Sequence, residues 1–277
     1  MARDDFAGDK KEGVSLLHRP EERLKAVLIP CVPQGIETYH LTLTTIVWSI
    51  LIVLFSWLAT FNRAWMWGVS AMIVAQYITD LLDGAIGRGR NTGLIKWGFY
   101  MDHFLDYVFL CSILIGYSLL MPDHLKYIMF FVMAVFCAFM VNSFLQFAAT
   151  NEFRIAYWGI GPTEIRLGFI IINTLIIYAN KSVFITAVPY VLTVALFGLF
   201  FTAYMTQKQL WKLDMGNKAE TEGSLLRPEG DLQGLVTRHF LPSFLIASLA
   251  SLGLVMHTGG LFFRSLLGTL LSCLELY

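Results

Sequence analysis

Charge is scarce in this sequence. Only 14% of its 277 residues are Asp, Glu, Lys or Arg, and 20 basic residues balance 20 acidic ones. A zero balance offers no basic footprint, so no nucleic-acid partner is expected. Cysteine is scarce as well. Cys31, Cys111, Cys137 and Cys273 are scattered with no CxxC pair, which argues against a thiol-metal or redox site. The N-terminal stretch MARDDFAGDKKEGVSLLHRPEERLK lacks the apolar core of a signal peptide. Insertion is therefore expected to rest on the first membrane helix.

Apolar residues are abundant. They make up 56% of the chain, and the mean hydropathy is +0.63. That composition fits a polytopic membrane protein and argues against a soluble domain. The expected fold is all-α: a membrane helix bundle with an N-terminal interfacial amphipathic helix, six core transmembrane helices and further C-terminal apolar segments. Residues 1–17 read as a polar leader. Residues 18–36 mix charges with Leu24, Val27, Leu28 and Ile29, as a helix lying on a membrane surface does.

Apolar runs follow at 41–61, 64–79, 97–121, 127–151, 167–180 and 182–207, and only the third carries charge, at Asp102 and Asp106. Each approaches the ~20 residues that cross a bilayer. The second must continue through Asp80 and Asp83 to cross fully, and Asn180-Lys181 interrupts the fifth. The core domain is thus read as 18–207, followed by a polar cytoplasmic segment at 208–239. An additional membrane segment, 240–277, holds a seventh apolar run at 240–263. Lysine and arginine cluster in alternate loops: the N-terminal segment, Arg88 to Lys96, Arg154 to Arg166, and the segment after 207. The positive-inside rule then puts the N-terminus in the cytoplasm.

Against this background four aspartates stand out. Asp80 and Asp83 close the second run, and Asp102 and Asp106 open the third. A charged side chain at the bilayer centre costs about 2.5–3.5 kcal/mol, so such residues are functional candidates by default. On a helical wheel Asp83 lies about 60° from Asp80, with Gly84, Gly87 and Arg88 on the same face. Gly98, Asp102 and Asp106 follow at i, i+4 and i+8, again one stripe. Two helices thus offer four carboxylates to one pocket. Carboxylates so close repel one another, and a hard divalent cation such as Mg²⁺, Ca²⁺ or Mn²⁺ relieves that repulsion. Glycines leave room for a ligand near the backbone. Arg88 can pair with phosphate or carboxylate.

The run Asp80-x-x-Asp83-Gly84-x-x-Gly87-Arg88, then Gly98-x-x-x-Asp102-x-x-x-Asp106, closely resembles the signature of the CDP-alcohol phosphotransferase family. That signature reads D-x-x-D-G-x-x-A-R, eight residues, G-x-x-x-D-x-x-x-D. Here Gly87 replaces the alanine, and residues 89–97 make the spacer one residue longer. The His40-Leu-Thr-Leu-Thr44 start of the first run is also similar to the family's. The resemblance spans residues 20–207. It implies a membrane transferase of phospholipid biosynthesis, in which a phosphatidyl or phosphoalcohol group passes from a CDP-linked donor to an acceptor hydroxyl and CMP leaves. Asp80, Asp83, Asp102 and Asp106 would hold Mg²⁺ or Mn²⁺. Asp106 would also be the catalytic base. Gly84, Gly87, Arg88 and Gly98 would bind the CDP moiety. The implied partners are a CDP-linked lipid or CDP-alcohol donor, an alcohol or lipid acceptor, and membrane lipids. The oligomeric state stays open, with a homodimer as one option, and the active site is expected to face the cytoplasm.

Gly161-Pro162-Thr163-Glu164-Ile165-Arg166 opens the fifth run. Glu164 and Arg166 are candidate acceptor or phosphate contacts, yet Pro162, Thr163 and Glu164 are equally a helix-start signal. His103 points away from the acidic stripe, which favours packing over ligation. Asn142, Gln146 and Asn173 are expected to make interhelical hydrogen bonds. The alternative function is a cation transporter or channel using the acidic cluster as an ion site. Against it, the aspartates lie toward one face, with a glycine and arginine company, and no repeated halves are visible. The acceptor is not named by these residues: inositol phosphate, glycerol phosphate, serine, diacylglycerol and ceramide all remain open.

Overall fold

The computed structural model describes residues 10–12, 17–90, 92–154, 161–179 and 181–222. The expected apolar run at 240–263 lies outside them. In chain order the helices are α1 (His18–Leu28), α2 (Thr38–Ala59), α3 (Met66–Arg90), α4 (Ile95–Leu120), α5 (Lys126–Thr150), α6 (Pro162–Tyr178) and α7 (Lys181–Glu222). The fold is helical, as expected. A three-residue parallel pair, β1 (Lys10–Glu12) with β2 (Glu152–Arg154), is the one addition among the described residues. Among the described residues, five helical stretches are long and apolar enough to cross a membrane: Thr38–Ala59, Arg63–Arg90, Ile95–Leu120, Asp123–Thr150 and Val183–Gly216. α6, at 17 residues, is shorter than these five. The chain divides into two compact units, residues 1–192 and 193–277, and α1 to α6 belong to the first.

α2 is the spine of the first unit and packs along both α3 and α4. Its buried residues are Thr38, Thr42, Thr45, Ser49, Ile52, Ser56 and Ala59, spaced alternately four and three apart. That is a coiled-coil seam filled almost wholly with small residues. Lipid gives helices no hydrophobic reason to associate, so close backbone approach through small side chains supplies the contact. The large apolar residues Val47, Ile50, Leu54 and Trp57 accordingly lie on the exposed face. α2 is inside out relative to a soluble helix.

Gly116 of α4 meets this seam at Ser56. A Cβ placed on Gly116 would sit 2.8 Å from the Ser56 Cβ. Gly116→Ala should therefore overpack the α2–α4 contact and cost about 1–3 kcal/mol. Gly168 has nothing within 4 Å of its virtual Cβ, so Gly168→Ala is the matched control. Unfolding in detergent should separate the two variants. Equal stabilities would contradict the packing.

A buried polar knot ties α3, α4 and α6 together. The Tyr117 hydroxyl lies 2.8 Å from Asn173 Oδ1, and Asn173 Nδ2 donates to Ser70 Oγ at 3.0 Å. Asn173 is fully buried, so both ends of its amide are satisfied inside the protein. This is the interhelical role expected of it.

At the opposite end α1 buries no residue of its own. It is tied down through its polar atoms. Glu21 accepts from Thr163 Oγ1, and Leu17 N donates to Glu164 Oε1 at 3.1 Å. On its exposed side Lys25 hydrogen-bonds Glu22 and holds that carboxyl below its ordinary value. Arg90, the last residue of α3, donates to the carbonyls of Val32, Pro33, Gln34 and Ile36. One guanidinium thus satisfies the irregular joint between α1 and α2, whose backbone has no helix to bond within.

Candidate active site

α3 runs unbroken through Asp80 and Asp83, as a full crossing requires. Asp102 and Asp106 sit in the first half of α4. One oxygen from each of Asp80, Asp102 and Asp106 lies within 4.8 Å of the others. The i, i+4 spacing on α4 points both of its carboxylates across to α3. All three are half-buried, with side-chain exposures of 21%, 33% and 30% in that order.

Asp83 is not part of that trio. It is buried and turned toward α2, where Thr42 Oγ1 donates to it at 2.8 Å. Its 60° offset from Asp80 on the α3 wheel aims it at the α2 seam. The backbone N–H of Gly84 donates to its other oxygen. Asp83 thus joins α3 to α2 within one turn of Asp80.

Arg166 enters from α6. Its Nη2 donates to Asp80 Oδ2 at 2.8 Å and to Asp106 Oδ1 at 3.2 Å. The Tyr77 and Phe109 rings flank the guanidinium carbon at 6.0 and 5.9 Å. Glu164 takes the helix-start role instead: its Oε2 accepts from Gly161 N at 2.8 Å, its Oε1 from Leu17 N. In the Gly161–Arg166 segment Glu164 makes the helix cap and Arg166 reaches the acidic trio.

The glycines divide similarly. The space beside Gly84 is taken by Arg88, whose Nη1 is 3.3 Å from a virtual Cβ. Beside Gly87 stands Thr38 Oγ1, only 3.0 Å from where a Cβ would be. An alanine at this position, as in the family signature, would crowd Thr38. Gly98 has nothing within 4 Å and faces open room at the start of α4. His103 is packed, with Nδ1 2.7 Å from the Phe99 carbonyl and its ring against Phe99 and Phe144.

Two residues of this site escaped the sequence reading. Gln76, fully buried, donates from Nε2 to Asp106 Oδ1 at 3.3 Å. It lies one turn before Asp80, so extending the acidic stripe backward by four residues would have found it. Thr42 lies inside the His40-Leu-Thr-Leu-Thr44 motif, which marks it without assigning it a role at the site.

The trio fits a hard divalent ion. It offers oxygen ligands only, from two helices, close enough to share one ion. A cluster of three acids beside one arginine also keeps excess negative charge, which such an ion would neutralise.

The sequence model of the CDP-alcohol phosphatidyltransferase family matches residues 40–204, more than half of the chain. Curated proteins and solved structures give no significant match. The family match does not favour the cation-transport alternative, and it spans α2 to α6 with every acidic residue of the site. The chain belongs to the CDP-alcohol phosphatidyltransferase family, integral membrane enzymes that transfer phosphorus-containing groups in phospholipid synthesis.

Proposed function

We propose that this chain transfers a phosphatidyl or phosphoalcohol group from a CDP-linked donor to an acceptor hydroxyl and releases CMP, with Mg²⁺ or Mn²⁺ as cofactor. The observation that carries this reading is the closure of Asp80, Asp102 and Asp106 within 4.8 Å beside a buried arginine. Those three carboxylates would hold the divalent ion. When bound, the ion neutralises charge on the donor's pyrophosphate and on the departing phosphate.

The chain's own residues do the remainder. Arg88 at the end of α3 and the open room beside Gly98 serve the CDP moiety, with Gly84 giving Arg88 its place and Gly87 letting α2 close in. Asp106 takes the proton of the acceptor hydroxyl. The acceptor oxygen forms a bond to the donor's β-phosphorus. The bond from that phosphorus to the bridging oxygen breaks, and CMP leaves with the electron pair. Gln76 and Arg166 both donate to Oδ1 of Asp106 and fix the carboxylate's orientation. Arg166 is also placed to meet a phosphoryl oxygen. Asp83 holds α3 against α2 so that Asp80 stays aligned with α4.

Product analysis of the purified chain tests this reading. CDP-diacylglycerol with alcohols is compared against CDP-alcohols with diacylglycerol or ceramide. One pairing should yield CMP and a new phosphodiester in equal amounts. No CMP from any pairing would overturn the reading.

We place the site on the cytoplasmic side, supported by the Lys and Arg asymmetry of the loops. In a chain with its native cysteines replaced, Thr92→Cys should be labelled by an impermeant maleimide only after the cells are opened. Labelling in intact cells would reverse the orientation.

A further inference from the structure

We infer that Arg166 is the resident counter-cation of the acidic trio, and that a divalent ion must take Asp80 and Asp106 from it to bind. This rests on the metal reading above and concerns how that site is loaded. A single nitrogen, Nη2, bridges Asp80 of α3 and Asp106 of α4 at 2.8 and 3.2 Å. A divalent ion held by Asp80, Asp102 and Asp106 would draw on carboxylates of the same two helices.

The two cations are therefore rivals. A hard ion binds carboxylate oxygen at about 2.0–2.1 Å for Mg²⁺ and uses the same lone pairs. It also repels a guanidinium held against those oxygens. Arg166 is 7% exposed, so solvent screens little of that repulsion. In return, Arg166 keeps the metal-free site intact: three facing carboxylates without a cation would push α3 and α4 apart.

The structure also provides for the arginine once displaced. α6 is anchored just ahead of it by Pro162, the Glu164 cap and the Thr163 contact to Glu21. Tyr77 and Phe109 flank the guanidinium and do not depend on the carboxylates. Arg166 thus keeps its place beside the trio, where its planar fork suits a phosphoryl oxygen. The same residue guards the empty site and contacts substrate in the loaded one.

The test is Mn²⁺ binding by calorimetry to the full-length parent, R166Q and R166K, each stripped with chelator and dialysed in the same detergent. R166Q should bind Mn²⁺ about 10–100-fold more tightly, a net gain of about one charge-assisted hydrogen bond once the two contacts to Asp80 and Asp106 no longer have to be broken. Metal-free R166Q should also melt below the metal-free parent, with the gap closing on Mn²⁺ saturation. R166K keeps the charge but loses the fork, so it should fall between the two. It also carries the test if R166Q does not fold. Equal or weaker Mn²⁺ binding in the variant that folds overturns the inference while leaving the metal site standing. A parent that binds no Mn²⁺ removes the metal reading, and the inference with it.

Discussion

Asp106→Asn should lower turnover by about 10²–10⁴-fold, the usual worth of a general base, while weakening donor binding by no more than the loss of one of three metal ligands does. The substitution keeps the side chain's size. The Asn carbonyl can still accept the Gln76 Nε2 donor that now reaches Asp106 Oδ1 at 3.3 Å. What it cannot do is take a proton. Asp80 and Asp102 remain to hold the donor's charge through the ion. Calorimetric donor affinity beside CMP release separates the two effects. Turnover equal to the parent would remove Asp106 from the base role. Complete loss of donor binding would make it chiefly a ligand.

Asp102→Asn should act on the metal and should do so more severely than Asp83→Asn. Asp102 belongs to the trio whose oxygens close within 4.8 Å, and Asp83 does not. Removing an outer-shell partner of a metal ligand already costs 10–100-fold in affinity or activity, roughly, and losing a ligand should cost at least that. Asp83→Asn should show a different profile. It disturbs the 2.8 Å bond from Thr42 and with it the α2–α3 junction. Leaving that buried partner poorly matched costs about 1–3 kcal/mol of stability. Mn²⁺ titration paired with thermal unfolding distinguishes a variant that loses metal from one that loses stability. If Asp83→Asn loses Mn²⁺ as completely as Asp102→Asn, all four aspartates act as ligands.

Much of this site is legible because helix geometry leaves little freedom. Once 80–88 and 98–106 are helical, the spacing alone assigns a face to each aspartate. Helix α3 had to run through Asp80 and Asp83 to reach a crossing length, and it does. The partners were harder to read. Arg166 meets Asp80 and Asp106 from 86 and 60 residues away, and only the packing of α6 on α3 decides that contact. On Asp83 the wheel angle was right, yet it did not reveal that 60° is enough to hand the carboxylate to Thr42. Gln76 was missed because an amide in an apolar run attracts less notice than an acid. The β1–β2 pair had no signal, since Lys10–Glu12 shows no alternation of apolar and polar residues. The α2 seam reads as hydroxyl scatter until one asks what lets two helices approach in lipid.

One measurement bears most directly on the central claim that this acidic trio drives transfer from a CDP-linked donor. The purified chain, stripped by exhaustive chelation, is assayed for CMP release with a productive donor and acceptor, then again after adding back Mg²⁺ or Mn²⁺. The stripped protein should release no CMP, and the added ion should restore release in full. Undiminished CMP release after chelation would contradict it.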